Sequence, residues 1–177
     1  AKEYLKIYGV LVGKKPLVFT NNDSGYETAI EFKKNGIDPI VLDTRKNPNS
    51  EIIKEAKDLN INIKFSYVVV TANGYKKVKS ADIAKISDDK KNLSIIENIA
   101  CDCICVSGFW TPTIHLASQS GNKTKFKDEI DAFIPSQSKQ KETTLGSANG
   151  IFTLEETLKT SFEKGSGFRL FAGIFNK

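Results

Sequence analysis

The sequence predicts an α/β fold: a parallel sheet flanked by helices, with an antiparallel meander inserted after the third parallel strand. Three observations carry that prediction. Residues 16–45 read strand, helix, strand, with the short apolar runs Leu17–Phe19 and Ile40–Leu42 each bounded by turn formers, as buried parallel strands are. The pattern then changes to extended, β-branched-rich segments over 66–71 and 75–86, meeting at Asn73-Gly74, a strong short-range hairpin signal. Finally, residues 99–106 turn apolar again apart from Asp102, as a strand returning to the parallel sheet. A strand–helix–strand this compact crosses over right-handed. It is the first unit of a Rossmann-like, nucleotide-binding-type fold.

The elements follow in order. Residues 1–15 are a polar lead-in, with a short helix around Glu3–Tyr8 and then a Gly-Lys-Lys loop. Asn22, Asp23 and Ser24 can each cap the first crossover helix, whose buried face is Ala29, Ile30 and Phe32. Asn35-Gly36 ends it in a left-handed turn. Ser50 caps a second helix through Leu59, with Ile52, Ile53, Ala56 and Leu59 at helical spacing, and 60–65 is the third parallel strand. The meander over 66–87 covers one face of the sheet; Asp88–Asn92 is a charged loop and Leu93–Ile96 continues the meander. From Ser107 the texture shifts to turn formers and aromatics, with an amphipathic turn near Phe126–Phe133 and a polar loop over 136–144. Residues 145–150 open a helix over about 152–162, with Leu154 and Leu158 on one face, and a last apolar segment runs Phe168–Phe175.

A dinucleotide fingerprint after the first strand reads G-x-G-x-x-G, with an acid about 20 residues on for the ribose hydroxyls. With Gly25 in the third glycine position, Thr20 and Asn22 occupy the first two, and Asp43 stands at the distance of the ribose acid. The third glycine serves helix–strand packing and the first two serve the pyrophosphate, so the packing half survives and the phosphate half is damaged. Asp23 at the helix start also repels a phosphate. Asp43 and Arg45 carry two readings, a ligand site or an ion pair at a strand end.

The 177 residues, 40% hydrophobic and 27% charged, suit a globular protein with an ample core. No stretch is apolar enough for a membrane span and none reads as a signal peptide, so the expectation is a cytoplasmic protein with no membrane role. The net charge of +5 rests on lysines interleaved with acids, since Arg45 and Arg169 are the only arginines; this is a solvated surface, not a nucleic-acid footprint. There is no methionine, even at position 1, and the reading is an internal segment of a longer chain. The three cysteines, Cys101, Cys103 and Cys105, alternate as on one strand face. With His115 the only histidine, small apolar packing is favoured over metal binding. Nothing argues for disulfides.

Four segments, VFTNNDSGYETA (18–29), VLDTR (41–45), CDCICVSGFWTPTIHLASQSG (101–121) and LGSANGIFTLEETL (145–158), together resemble the alpha subunit of heterotetrameric sarcosine oxidase. The most specific part is Trp110-Thr111-Pro112-Thr113-Ile114-His115-Leu116. Alpha subunits of dye-linked proline dehydrogenase, opine oxidase and hydrogen cyanide synthase share the layout. The resemblance implies two dinucleotide-type domains arranged as in disulfide reductases, with residues 16–106 as the inserted NAD-type domain and 107–177 as part of the outer FAD/NAD-type domain. It also implies oxidation of sarcosine to glycine by the whole enzyme, with NAD on the alpha subunit, FMN at a subunit interface, FAD in the beta subunit and tetrahydrofolate as one-carbon acceptor. Beta, gamma and delta subunits are the implied partners, and the segment itself carries no catalytic residue. Candidate cofactor contacts are Thr20, Asn22, Gly25, Asp43 and Arg45 from the first part and Ser107, Gly108, Trp110, Gly146, Ser147 and Asn149 from the second. Phe109 departs from the family pattern, where a glycine is usual, which counts against close ligand approach there.

Two other classes compete. One is a stand-alone regulatory domain with a degenerate nucleotide fold. The other is a hydrolase or transferase using His115, which lacks any accompanying G-x-S-x-G or paired acid–base motif.

Overall fold

A computed structural model describes residues 1–87 and 93–172. The expected charged loop at 88–92 and the end of the Phe168–Phe175 segment lie outside the described residues. The chain forms two compact units, 1–109 and 110–177.

The first unit holds helix α1 (Lys2–Tyr8), strand β1 (Pro16–Thr20), helix α2 (Ser24–Lys34), strand β2 (Ile40–Asp43), helix α3 (Glu51–Asp58), strand β3 (Asn62–Phe65), the meander strands β4 (Tyr67–Gly74), β5 (Val78–Ile86) and β6 (Leu93–Ala100), and strand β7 (Cys103–Ser107). Strands β3, β2, β1 and β7 form one four-stranded sheet in that order, every pair parallel. All four parallel strands read from the sequence thus share one sheet. Because alternate residues face opposite ways, the sheet builds two cores. On one face Val18 and Val41 pack with Tyr26, Ala29, Ile30 and Phe32 of α2 and Ile53 and Ala56 of α3. On the other, Leu17 and Leu42 pack with Ala81, Ile83 and Cys101 beneath the antiparallel sheet β4-β5-β6. Each fully buried Leu, Ile or Phe here contributes about 1.5–3 kcal/mol. The lead-in belongs to this unit: Leu5 packs against the helix-side core, and Lys2 and Lys6 pair with Glu27 and Glu31 of α2.

Three local expectations change. The hairpin turn is not centred on Asn73-Gly74. Those residues still pair, with Ser80 and Val78, and the turn is Tyr75-Lys76-Lys77. Gly74 adopts φ 150, and a Cβ there would lie 2.0 Å from the Lys77 carbonyl oxygen, so glycine's role is close self-approach at the strand end. Residues 99–106 are not one strand either. Ile99 and Ala100 finish the meander, and the break at Asp102 is held by its carboxylate, which accepts the Lys14 and Lys15 backbone N–H groups, each at 2.8 Å. That break separates the cysteines. Cys101 lies in the meander-side core, whereas Cys103 and Cys105 share the opposite face of β7, their sulfurs 3.7 Å apart. Burial, with Cys103 close by, pushes the Cys105 thiol up to about 12.

The second unit holds helix α4 (His115–Gln119), the hairpin of strands β8 (Thr124–Lys127) and β9 (Ala132–Pro135), a 3₁₀ turn at Gly146–Asn149 and helix α5 (Leu154–Ala172). The amphipathic turn near Phe126–Phe133 is thus a hairpin, with the two rings edge to face at 5.2 Å across its strands. Helix α5 continues through Ala172, so the start of the last apolar segment is helical rather than separate. Leu154, Leu158 and Phe162 of α5 are exposed.

Candidate site at the β1–β7 switch point

In the order β3-β2-β1-β7 the chain leaves β1 towards β2 on one side and comes back to β7 on the other. The carboxyl ends of β1 and β7 therefore flank the topological switch point, where open α/β sheets take ligands. The turn after β1 and the residues after β7 meet there. Thr20 is buried; its hydroxyl donates to the Asn22 carbonyl oxygen (2.8 Å), and the Asn22 backbone N–H donates back to Thr20 Oγ1 (3.2 Å). Asn22 Oδ1 accepts the Ser24 backbone N–H (3.0 Å), the Ser24 hydroxyl (2.6 Å) and the Ser107 hydroxyl (3.3 Å). Asn22 Nδ2 donates to the Gly108 carbonyl oxygen, and the Ser24 and Ser107 hydroxyls share a hydrogen bond of 2.7 Å. The open turn expected for a phosphate is a knot of side-chain bonds.

Gly25 performs the packing role that its position in the fingerprint predicts. A Cβ there would lie 2.5 Å from Thr20 Cβ and 2.6 Å from Thr20 Oγ1, so only glycine lets α2 approach β1 this closely.

Asp43, directly beside Thr20 in the β1–β2 register, is fully buried. Its carboxylate accepts the Tyr26 hydroxyl (2.7 Å), the Arg45 backbone N–H (2.9 Å), Arg45 Nε (3.0 Å) and Arg45 Nη2 (2.8 Å). Arg45 Nη2 also pairs with Asp23 at 2.8 Å. Burial, then the hydrogen bond to Asp43, pushes the Tyr26 hydroxyl well above its ordinary value. Burial works against the Arg45 charge, but the bonds to Asp43 and Asp23 win and hold it firmly protonated. Of the two readings of Asp43 and Arg45, the ion pair is the one formed, and Asp43 offers no open oxygen to a ribose. As arranged, the carboxylate and the turn do not fit a dinucleotide.

The other sequence candidates fall elsewhere. Gly108 borders open space, with nothing within 4 Å of a Cβ placed on it. In the second unit, Gly146, Ser147 and Asn149 sit on their own 3₁₀ turn, ahead of α5, not on its first turn. Trp110 is 60% exposed, its ring 6.2 Å from that of Phe152. His115 opens α4 on the surface. Among the described residues no cluster of three or more His, Cys, Asp or Glu side chains could hold a metal, and no helix is long and apolar enough to cross a membrane. A cavity of about 750 Å³ opens at the amino-terminal ends of the parallel strands, opposite the switch point, among residues such as Pro16, Ile37, Ile40 and Ile61. Sequence reasoning missed Tyr26. The signal was present: a tyrosine on a buried helix face needs a partner for its hydroxyl, and Asp43 ends the adjoining strand.

No family model matches the chain. Among curated proteins, sarcosine oxidase subunit alpha of Corynebacterium sp. (strain P-1) is 28% identical over 175 residues, 98% of this chain and 18% of that protein. The subunit from Corynebacterium sp. (strain U-96) is 28% identical over 90% of this chain and 16% of the relative. That from Rhizobium meliloti (strain 1021) is 30% identical over 83% and 14%. This chain is similar to a segment of sarcosine oxidase alpha subunits. The resemblance read from four short segments therefore extends over most of the chain, which spans less than a fifth of each relative. Among solved structures, thioredoxin reductase from Lactococcus lactis matches with a TM-score of 0.62 at 17% identity, covering 82% of this chain and 48% of that one. The T. acidophilum thioredoxin reductase matches with a TM-score of 0.56 at 14% identity, over 80% and 49%. At such identities the likeness is one of fold, and it is the Rossmann-like α/β architecture predicted from the sequence.

Proposed function

We propose that this chain is the nucleotide-domain segment of an amine-oxidising alpha subunit of the sarcosine oxidase type. The observation that carries the reading is the similarity to sarcosine oxidase alpha subunits over most of the chain, in a fold whose parallel sheet has the switch-point order of nucleotide-binding domains. In this reading residues 16–106 are the inserted NAD-type domain and 107–177 belong to an outer FAD/NAD-type domain. The whole enzyme oxidises sarcosine to glycine with beta, gamma and delta partners. NAD sits on the alpha subunit, FMN at a subunit interface and FAD in the beta subunit, and tetrahydrofolate takes the one-carbon unit. The segment by itself is not catalytic. Its part is structural: Ser107 and Gly108 in the first unit and, separately, Trp110, Gly146, Ser147 and Asn149 in the second are candidate orientation contacts for cofactors whose phosphates are held by the rest of the subunit.

Two measurements test this. Mass spectrometry of ligand released from the complete subunit, purified with its co-expressed partners, is expected to find NAD, and sarcosine is expected to reduce the bound flavin. A complete protein that lacks both ligand and amine oxidation would overturn the reading. Calorimetry on the isolated chain is expected to give an NAD affinity no better than about millimolar, roughly 4 kcal/mol. A micromolar constant would make this segment an autonomous cofactor domain instead.

A second reading, a stand-alone regulatory domain with a degenerate nucleotide fold, is favoured by one feature: the turn after β1 is bonded to the chain's own side chains. The open reading frame separates the two, since continuation at both ends supports the subunit.

A further inference from the structure

We propose that Asn22 is the determinant that closes the β1–β7 switch point to nucleotide phosphates, its side-chain carboxamide taking the place of a pyrophosphate oxygen. In a dinucleotide domain the phosphate lies against the first backbone N–H groups of the helix after β1. Here the Ser24 N–H at that helix start donates to Asn22 Oδ1 at 3.0 Å. The same oxygen draws in the Ser24 hydroxyl at 2.6 Å and the Ser107 hydroxyl at 3.3 Å, the donors that a phosphate in the crevice would otherwise meet. From its other end, Asn22 Nδ2 ties the turn to the Gly108 carbonyl across the mouth of the crevice. Nothing else about the turn demands asparagine. Its backbone is not left-handed, and Gly25 has already solved the packing of α2 on β1. The residue stands where the fingerprint has its second glycine, the one whose missing side chain leaves room for the pyrophosphate.

The charges nearby complete the exclusion. Asp23 and Asp43 together carry two negative charges against the single positive charge of Arg45, which both of them hold. Arg45, the cation at the carboxyl ends of β1 and β2, is thus already committed to two carboxylates. Closure is thus a property of the inserted domain and goes beyond the assignment to a subunit. Any dinucleotide carried by the complete protein contacts its phosphates elsewhere.

The probe is inorganic pyrophosphate added to the full 177-residue chain, followed residue by residue through the backbone amide resonances. In the unaltered chain the Ser24 and Gly25 amides are expected to stay in place at about 10 mM pyrophosphate. Asn22→Gly, which restores the second glycine, is expected to let the same amides shift and to tighten pyrophosphate binding at least about tenfold. Asn22→Asp keeps the acceptor but adds charge, and is expected to stay closed. Saturable shifts at Ser24 and Gly25 in the unaltered chain would overturn the proposal, as would a folded Asn22→Gly protein whose amides do not respond. Hydrogen exchange in the unaltered chain decides the matter without any variant. A Ser24 N–H bonded to Asn22 is expected to exchange at least about tenfold more slowly than an open amide, and an unprotected one sinks the idea. Either outcome leaves the similarity to the alpha subunits untouched, because that rests on the whole chain and on the ligand of the complete protein.

Discussion

Gly25 and the Asp43 network each fail in a defined way when one side chain is changed. Gly25→Ala pushes a methyl group to 2.5 Å from the Thr20 side chain, so α2 must move off β1. The expected cost is about 1–3 kcal/mol, read as a lowered denaturation midpoint, and Thr20→Gly in the same molecule is expected to restore part of it. Arg45→Met strands the buried Asp43 carboxylate with the Tyr26 hydroxyl and no cation, at an expected cost of about 3–5 kcal/mol. Tyr26→Phe is milder at neutral pH, about 1–3 kcal/mol, because Arg45 still covers the carboxylate. The two variants separate further in alkali. The Tyr26 hydroxyl is raised above its ordinary value of 10.0 by burial and then by Asp43, so the folded state holds that proton more tightly than the unfolded chain does. Its contribution is complete below pH 10 and is lost as pH rises beyond that, by up to about 1.4 kcal/mol per unit. Urea midpoints between about pH 9 and pH 11 should therefore fall more steeply for the unaltered protein than for Tyr26→Phe. Parallel curves would refute the assignment.

At the level of elements, the β4–β5 connection and β7 show how a local signal can be right in kind and displaced in place. Asn73-Gly74 does announce a hairpin, but the glycine is used at the strand end, where it passes 2.0 Å from the Lys77 carbonyl on a Cβ basis. Gly74→Ala is accordingly expected to destabilise the meander by about 1–3 kcal/mol, whereas Tyr75→Ala, in the turn and 93% exposed, is expected to stay within about 0.5 kcal/mol. Comparison of their thermal midpoints checks the assignment of the turn. Equal losses would return the turn to Asn73-Gly74. On β7, burial holds the Cys105 thiol up to about 12, so it is a weak nucleophile. Iodoacetamide at about pH 8 is expected to label it at least tenfold more slowly in the folded protein than in urea. Elemental analysis of protein purified without added metal is expected to show the three cysteines metal-free.

For the whole molecule, the first unit has cores on both faces of its parallel sheet, closed by α2 and α3 on one side and by the meander on the other. A chain of residues 1–109 is therefore expected to fold alone and to unfold in a single cooperative transition, seen together by circular dichroism and tyrosine fluorescence. Non-coincident transitions would show that its two cores are not one folding unit.

The α/β class, the four parallel strands and the helices α2 and α3 were legible in the sequence. Each follows from local rules: apolar runs of strand length, polar residues at the helix starts Asp23 and Ser50, and Gly36 in a left-handed turn at φ 76. Neither Asp23 nor Ser50 makes a side-chain capping bond, however, and it is Asn22 that accepts the Ser24 N–H. The likeness to alpha subunits was legible for a similar reason, since 18–29, 101–121 and 145–158 are continuous stretches of chain. The fate of the candidate site was not. The Asp43–Arg45 pair, two residues apart, was one of two readings the sequence left open, whereas whether Asn22 faces a phosphate or Ser107 depends on side chains 85 residues apart reaching the same point, which no local pattern encodes. Only the return of β7 beside β1 brings Ser107 and Gly108 over the turn. Once there, an oxygen already sharing three donors within the protein has little to gain from a ligand, because every bond given up on binding must be replaced.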